Sequence, residues 1–421
     1  MRRIVLFILV GFILVWTYNL FINNFIQLEK VEEEPYKGII EIWDFSRKGS
    51  YKWLQNRIRT FEKQNPGVYI EIVSKDDNKD TMPDIIPVDL NFSNLDVLEP
   101  LDDYFENEEL EEFKHQALVP VTYNKELKAL PIAMTTSAIY INLDKFYERG
   151  VNPPIDGNWT YEEFVDALKQ LTCDSNGDGV IDEYGFLTSI GENNYHIWGI
   201  ILSDGAQFIE PKRLEYSFYG EKAIKGLERL MDLKYKHGIV PDYFGIIGEK
   251  DAWNMFFEDQ RVAAFATGSW AIDVLEKSYR EDNGFNFEVV NFPTGDKNLP
   301  VILSSDIISY GIIKDEDPKK MKMCVEFLKH LTTNSNQKLL EEISLFTVKR
   351  GIDDMYTDNI NMKKIEESLS YTHYIPIVDN WNEIDSIIHE EIINALLGKK
   401  PSYEAIENAK IKINKLKNNL K

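Results

Sequence analysis

The sequence predicts an α/β protein that is divided into two lobes. At 421 residues the chain is longer than one hydrophobic core usually organises. Its first part alternates a strand (38–45, GIIEIWDF), an amphipathic helix (51–65) and a second strand (68–73, VYIEIV). This order predicts a parallel α/β layer. An apolar, β-branched run at 131–142 predicts a buried strand in the middle of the chain.

The remaining elements follow in order along the chain. A hairpin is expected at 123–129, and Cys173 and Cys324 are expected to be unpaired thiols. Further strands are predicted at 84–90, 261–270, 285–292 and 307–313. Helices are predicted at 161–171, 220–236, 251–258, 271–280, 319–331, 336–342, 381–397 and 403–416.

Composition and charge exclude several classes of protein. Hydrophobic residues make up 43% of the chain and aromatic residues 12%, which is typical of a globular protein. The net charge of −23 argues against a nucleic-acid partner, which needs a basic surface. It also disfavours a polyanionic ligand. The abundant aromatic residues suit sugar-stacking surfaces as well as cores.

The N-terminus predicts attachment to a membrane. Two arginines precede an apolar run at 4–20 that is long enough to span a bilayer. No A-x-A cleavage site and no cysteine for lipid attachment follow it. We expect residues 1–26 to be an uncleaved anchor and 27–37 a short linker, which places the protein on the outer face of the cytoplasmic membrane. The alternative is a cleaved signal and a secreted protein.

A loop at 174–185 is rich in Asp and Gly and matches the opening of a calcium-binding loop. Oxygen ligands at alternate positions and a glycine for the sharp turn fold around one cation. The bidentate Glu expected at the last position is replaced by Gly185. The alternative is an ion-free turn. The candidate ligands of a structural calcium ion are Asp174, Asn176, Asp178, Val180 and Asp182.

Four blocks of sequence carry a family resemblance. They are a Trp-containing strand with FEKQNPGVYIEI; LPIAMTTSAIYINLDKF with NWTYEEFVDALKQLT and DSNGDGVIDEYGF; RVAAFATGSW; and DEDPKKMKMCVEFLKHLT with WNEIDSIIHEEIINALLGKKPSYEAIENAKIKIN. The chain resembles the extracellular solute-binding proteins of ABC importers, in the sugar- and oligosaccharide-binding family 1, which is maltose-binding-protein-like. The blocks cover nearly all of residues 38–416 in the family's order.

The resemblance implies a periplasmic-binding-protein-like clamshell with strands that cross at a hinge. One lobe would comprise 38–138 plus 304–332, and the other 142–301 plus 335–421. The ligand would lie in the cleft between them and be buried when they close. The chain departs from the family at 74–83, where an extra helix is usual, and it lacks the usual lipid-modified cysteine. The apolar anchor would replace that lipid.

The resemblance also suggests the ligand-binding residues. Three stacking positions match Trp270, Trp381 and the pair Tyr195 and Trp198, and the crossing strand would present polar side chains to the ligand. Carboxyl ends of strands in an open α/β sheet line a cleft. Each aromatic residue could instead fill a core, and each carboxylate could lie on the surface. The candidate set is Trp43, Asp44, Asp89, Thr135, Thr136, Tyr195, Trp198, Trp270 and Trp381.

The sequence favours a binding protein over an enzyme. The six histidines form no H-x-x-x-H pair, and no G-x-S-x-G, P-loop or G-x-G-x-x-G motif occurs. We expect a monomer without cofactors, apart from the possible calcium ion, that delivers a carbohydrate to an ABC permease. The alternatives are a ligand sensor that acts with a membrane kinase, a secreted glycosidase and a binding protein for a non-sugar solute such as a polyamine.

Overall fold

The computed structural model describes residues 14–19, 35–74, 82–210, 215–295, 299–305 and 307–418. Residues 14–19 are helical (α1), and the rest of the predicted anchor, most of the linker and most of the shortened segment 74–83 lie outside these ranges. Among the described residues, no helix is both long enough and apolar enough to cross a membrane.

Two sheets form the centre of the molecule. A six-stranded sheet has the order β15-β6-β14-β3-β1-β2, and a four-stranded sheet has the order β12-β7-β11-β8. The strands are β1 (Gly38–Trp43), β2 (Val68–Val73), β3 (Ile85–Pro87), β4 (Thr122–Tyr123), β5 (Glu126–Leu127), β6 (Leu130–Met134), β7 (Ser137–Asn142), β8 (Tyr184–Leu187), β9 (Ile209–Glu210), β10 (Glu215–Tyr216), β11 (Val262–Gly268), β12 (Phe287–Val290), β13 (Ile302–Ser304), β14 (Ile307–Ile312), β15 (Phe346–Thr347) and β16 (Thr372–Tyr374).

Helices cover both sheets. They are α2 (Ser50–Gln64), α3 (Asn107–Glu111), α4 (His115–Leu118), α5 (Leu143–Glu148), α6 (Tyr161–Gln170), α7 (Trp198–Ile201), α8 (Glu221–Tyr235), α9 (Glu249–Phe257), α10 (Ala271–Arg280), α11 (Pro318–Leu331), α12 (Asn334–Lys338), α13 (Ile360–Ser368), α14 (Trp381–Leu396) and α15 (Ser402–Asn418). Short 3-10 helices occupy Leu95–Val97, Asp102–Tyr104, Val119–Val121, Ile155–Gly157, Leu339–Ile343 and Leu369–Tyr371.

The local predictions hold for the strongest signals. β1 and β2 pair in parallel, as the strand–helix–strand order predicts. Thr160 and Glu163 form a capping box that starts α6, in agreement with the helix predicted there. The hairpin of β4 and β5 forms around Asn124 and Lys125, whose φ angles of 50° and 70° suit a tight turn. Both cysteines are free.

The predicted central strand is divided between the two sheets. β6 belongs to the six-stranded sheet and β7 to the four-stranded sheet, and every residue of both strands is buried. Thr135 and Thr136 connect them. We call the six-stranded sheet with its helices the first lobe, and the four-stranded sheet with its helices the second lobe. The predicted strand is therefore a crossing between the lobes. It reads as one mostly apolar run because each of its two halves is covered on both faces of its sheet.

Two further segments cross between the lobes. One runs from β12 through β13 to β14, and the other runs from β15 to β16. β13 and β16 pair in parallel, with Ile302 opposite Thr372 and Ser304 opposite Tyr374. In the part of the chain that the structure describes, three connections therefore join the lobes, and two of them pair with each other.

The third crossing differs from the division implied by the resemblance, which assigns 335–421 to the second lobe. β15 pairs with β6, so that Phe346 lies opposite Met134 in the first lobe. The Gln337 amide, which is buried, donates a hydrogen bond to the carbonyl of Ile132 at 2.9 Å. The chain leaves the first lobe only after β15, because these backbone and amide bonds attach residues 337–347 to the six-stranded sheet.

Candidate ligand-binding cleft between the lobes

The end of β1 carries a carboxylate that is only half satisfied. Oδ2 of Asp44 lies 2.8 Å from the hydroxyl of Ser50 at the start of α2. Oδ1 of Asp44 is buried and has no hydrogen-bond partner among the described residues. A buried carboxylate oxygen without a donor costs about 1–3 kcal/mol or more. A ligand hydroxyl or a water molecule that donates to Oδ1 would remove that cost.

Trp43 precedes Asp44, and its backbone is bonded to β14, which lies beyond β3 in the same sheet. The hydroxyl of Tyr310 on β14 donates a hydrogen bond to the carbonyl oxygen of Trp43 at 2.9 Å. Burial raises the pKa of Tyr310 well above its ordinary value, and the negative charge of Asp44 raises it further. Tyr310 therefore remains a neutral donor, and it fixes the backbone from which Trp43 and Asp44 project.

Asp89 follows β3 at the same edge of the first sheet. Its side chain is exposed, and Oδ1 accepts a hydrogen bond from the amide of Asn91 at 2.9 Å. This is a local turn contact that leaves Oδ2 free of any partner that the structure describes. Because β1 and β3 are parallel, their carboxyl ends share one edge of the sheet, as the sequence predicted.

The crossing residues are buried and are bonded to the other crossing segments. Thr135 is 6% exposed and Thr136 is 2% exposed. The Oγ1 atoms of Thr136 and Thr372 are 2.7 Å apart, and the hydroxyl of Tyr374 donates to the carbonyl of Thr135 at 2.7 Å. Both threonines therefore lie at the hinge, where their polar groups are engaged with β16.

Trp270 lies on the second lobe, directly after β11, and is the predicted stacking residue that is most open to solvent. Its side chain is 41% exposed. The ring contacts Trp253 on α9, with a centroid separation of 4.8 Å. The amide of Ser269, just before Trp270, donates to the carbonyl of Thr136 at 3.1 Å. This bond ties the start of α10 to the crossing segment.

The other three predicted stacking residues lie together in the core of the second lobe. Trp198 is fully buried, Trp381 is 2% exposed and Tyr195 is 4% exposed. Trp198 packs against Phe208 at 4.3 Å and Trp381 packs against the same ring at 5.6 Å. We had expected each ring to offer a free face to a ligand. That expectation is not met here, because neighbouring aromatic rings cover them.

A buried polar network holds this aromatic cluster in place. The indole of Trp381 donates to the hydroxyl of Tyr195 at 3.2 Å, and that hydroxyl donates to Asp385 at 3.0 Å. Asp385 also accepts from the backbone amide of Asn193 at 2.7 Å. His389 lies 3.1 Å from the Asp385 carboxylate. The network attaches the loop before α7 to α14.

Several polar contacts between described residues join the lobes beside the crossing, and sequence reasoning missed them. The hydroxyl of Ser344 on the first lobe donates to Oδ1 of Asp273 on the second lobe at 2.9 Å, and Lys48 lies 3.8 Å from Oδ2. On the hairpin of the first lobe, the hydroxyl of Tyr123 donates to Asp379, which lies just before α14. That bond raises the pKa of Tyr123, and burial adds to the rise. Acids and hydroxyls are too common in the sequence to have singled these residues out.

A cavity of about 580 Å³ lies elsewhere, and none of the predicted ligand-binding residues lines it. Its walls come from α4, from the segment after β15 and from α13, and they carry charges of both signs, including Lys114, Arg350 and Glu366. β15 and β1 lie on opposite sides of β6, and β12 and β11 lie on opposite sides of β7. The cavity therefore lies across the crossing from Trp43 and Trp270. We favour the Trp43–Trp270 side for a sugar, because an exposed indole and an unpaired carboxylate oxygen are found there.

The Asp/Gly loop satisfies its own backbone. The carboxylate of Asp174 accepts hydrogen bonds from the amides of Gly177 and Gly179 at 2.7 and 2.6 Å. Asp178 accepts from the amide of Val180 at 2.8 Å, Asn176 accepts from the amide of Asp178 at 2.9 Å, and Asp182 accepts from Ser175 at 2.7 Å. Among the described residues, no group of three or more His, Cys, Asp or Glu side chains is arranged to hold a metal ion. The predicted calcium ligands also include the Asn176 side chain and the Val180 carbonyl, which are not among those four residue types, and calcium binding stays a prediction.

Comparison with known proteins decides the family. The model of the bacterial extracellular solute-binding protein family matches residues 56–364, which is more than half of the chain. The chain belongs to this family. A putative binding protein of Brucella abortus (strain 2308) is 22% identical to this solute-binding protein in an alignment of 386 residues, which covers 84% of this chain and 87% of that protein.

Solved structures agree on the fold of this solute-binding protein. The cyclic alpha-maltosyl-1,6-maltose binding protein of Arthrobacter globiformis matches with a TM-score of 0.73 and 16% identity, over 89% of this chain and 97% of that one. UgpB from Mycobacterium tuberculosis, in complex with glycerophosphocholine, also has a TM-score of 0.73, with 15% identity over 91% and 100% of the two chains. The two-lobed, maltose-binding-protein-like α/β fold predicted from the sequence is confirmed.

Proposed function

We propose that this protein is the substrate-binding component of an ABC importer that captures a carbohydrate, in particular an oligosaccharide, between its lobes. Two observations carry the proposal: the ring of Trp270 is 41% exposed, and Oδ1 of Asp44, on the same side of the crossing, has no hydrogen-bond partner among the described residues. Sugars present flat C–H faces and hydroxyl groups, which suit an indole and a carboxylate respectively.

Each element has a role in this mechanism. The indole of Trp270 stacks on a sugar ring, and Asp44 accepts a hydrogen bond from a sugar hydroxyl. Thr135 and Thr136 lie at the hinge about which the lobes close. Ser344 and Asp273 hold the lobes together on one side of the crossing. Binding is entirely noncovalent, so that the solute is released unchanged.

The solute would then be delivered to the membrane subunits of an ABC permease. In this proposal the N-terminal segment anchors the protein, as a monomer, to the outer face of the cytoplasmic membrane. The family's extracellular placement supports this location.

A thermal-shift screen over mono-, di- and oligosaccharides tests the proposal, because a ligand that binds only the native state raises the melting temperature. We expect an oligosaccharide to raise it, and Trp270→Ala to reduce the shift with the unliganded melting temperature nearly unchanged. Tyr403→Ala is the matched control, since Tyr403 is an exposed ring on α15. If no saccharide raises the melting temperature, the carbohydrate proposal fails.

A non-sugar solute is the second candidate. The observation that favours it is the likeness to UgpB, whose structure contains glycerophosphocholine. The exposed face of an indole such as Trp270 also suits a quaternary ammonium group. Glycerophosphocholine and a polyamine therefore belong in the same screen. If one of them raises the melting temperature and no saccharide does, the proposed solute is that compound and not a carbohydrate.

A further inference from the structure

The exposed ring of Trp270 is held in place by few aromatic neighbours. Its side chain is 41% exposed, although it lies at the start of α10 beside the crossing. Among the described residues, Trp253 is the only aromatic ring in contact with it, at a centroid separation of 4.8 Å and an interplanar angle of 55°. An exposed indole with no further support would sample several rotamers, and a ligand would have to select one of them.

Trp253 is itself firmly held. It lies on α9, where it stacks on Phe257 with the ring centroids 5.2 Å apart and the planes 20° from parallel. Its edge packs on Phe265 of β11 at 5.8 Å and on Phe256 at 5.9 Å. The indole of Trp253 is therefore a partly buried surface that is packed against the core of the second lobe.

The ring of Trp270 has a second close neighbour in the strand. A Cβ atom added to Gly268 would lie 3.0 Å from Cδ1 of Trp270 and 3.3 Å from its Nε1. The indole therefore lies directly against the backbone of Gly268, in space that a larger residue would occupy. The ring of Trp270 thus contacts both this backbone and the ring of Trp253.

We propose that Trp253 is a positioning residue, which fixes the orientation of the Trp270 ring before a solute arrives. The inference rests on the proposed function, in which Trp270 stacks on the ligand. A platform that is already oriented loses less side-chain entropy on binding, so affinity rises without any new contact to the ligand. Trp253 thereby acts on the solute through Trp270.

The first test needs no ligand. The protein is labelled with 5-fluorotryptophan, and the ¹⁹F resonance of Trp270 is assigned with Trp270→Phe. In Trp253→Phe, which keeps a ring, we expect that resonance to stay narrow; in Trp253→Met, which keeps volume but no ring, we expect it to broaden or move. The resonance of Trp159, which packs on Phe164, is the internal control. An unchanged Trp270 resonance in a folded Trp253→Met protein overturns the proposal.

The second test is a double-mutant cycle measured by calorimetry with the solute that gives the largest thermal shift. We expect Trp253→Ala to weaken binding about 2- to 12-fold, the range that a single aromatic pair supplies, and Trp253→Phe to restore most of it. In a Trp270→Ala background, Trp253→Ala should have no further effect. An equal loss in both backgrounds would overturn the positioning role.

The two proposals fail in different ways. If no solute in the screen binds the wild-type protein, the proposed function fails and the ¹⁹F measurement still decides the inference. If a solute binds and Trp253→Ala binds it as tightly as the wild type, the inference alone fails.

Discussion

The hydroxyl of Ser344 donates a hydrogen bond to Oδ1 of Asp273 at 2.9 Å, which joins the two lobes three residues after Trp270. Ser344 has a φ of 57°, so the chain turns sharply at this residue between the 3-10 helix Leu339–Ile343 and β15. The bond connects the turn before β15, in the first lobe, with α10, the helix that follows Trp270. A change in the distance between the lobes would therefore also move α10 or break this bond.

Removing this bond should loosen the lobes. We expect Ser344→Ala to weaken solute binding about 2- to 10-fold, the effect of one hydrogen bond of ~1 kcal/mol, and to raise the unliganded radius of gyration in X-ray scattering. Lys48→Ala should change the affinity less, because Lys48 is 78% exposed and lies 3.8 Å from the carboxylate. A larger effect for Lys48→Ala than for Ser344→Ala would contradict this ranking.

Gly268 should also control the position of the Trp270 ring. Its backbone has an ordinary φ, so Gly268→Ala needs no unusual conformation, but the new methyl group must displace the Trp270 ring. We expect a loss of solute affinity of about 3-fold or more from a misplaced ring, with a small change in melting temperature. Gly191→Ala is the control, because a Cβ atom there meets nothing within 4 Å. Equal affinities for the two variants would show that the close approach has no role in binding.

The carboxylate of Asp174 should stabilise its loop without a metal ion. Asp174→Ala leaves two backbone amides, those of Gly177 and Gly179, without their acceptor. We expect a loss of ~1 kcal/mol in the free energy of unfolding in the presence of a chelator. Asp259→Ala removes a comparable exposed carboxylate and should be neutral. If calcium raises the melting temperature of the wild type and not of Asp174→Ala, the calcium prediction is supported as well.

The pair formed by Lys329 and Glu109 should give a stability change that depends on pH. The hydrogen bond from Lys329, at 2.8 Å, lowers the pKa of Glu109. Because the folded-state pKa is the lower one, the stabilisation is present above the unfolded-state value of about 4.3 and is lost as the pH falls through the folded-state value. Glu109→Gln should therefore cost at most ~0.5 kcal/mol at pH 7, since the side chain is 41% exposed, and nothing at pH 3.

Urea denaturation at the two pH values measures this difference. The control is Glu108→Gln, which removes the neighbouring charge from a residue that forms no ion pair among those described. A cost for Glu109→Gln that persists at pH 3 would show that the packing of α3, and not the charge, is responsible.

Local physical chemistry made much of the fold predictable. Helix α10 occurs at Ala271–Arg280 as expected, because its apolar face and its flanking residues agree. The run through Thr135 indicated a buried strand because it is mostly apolar and β-branched. The apolar pattern alone does not encode its division between two sheets, since a chain that changes sheets and a chain that continues in one sheet have the same pattern; the crossing was implied by the family resemblance.

The site was less predictable than the fold. Trp198, Trp270 and Trp381 are equivalent in a sequence, since each follows an apolar segment and each can serve a core or a ligand. Their exposed fractions differ widely in the structure, because burial depends on distant partners such as Phe208. The attachment of β15 to β6 depends in the same way on pairing across more than 200 residues, which a local pattern does not encode.

The placement of β14 and β15 beside β6 has a consequence for biogenesis. The six-stranded sheet combines strands that begin at Gly38 with a strand that ends at Thr347, so a nascent chain cannot complete it until most of the polypeptide has been synthesised. Pairings with such large sequence separations also form slowly. A chain that crosses a membrane through a narrow translocon has to remain unfolded, and a fold that assembles late favours translocation before folding.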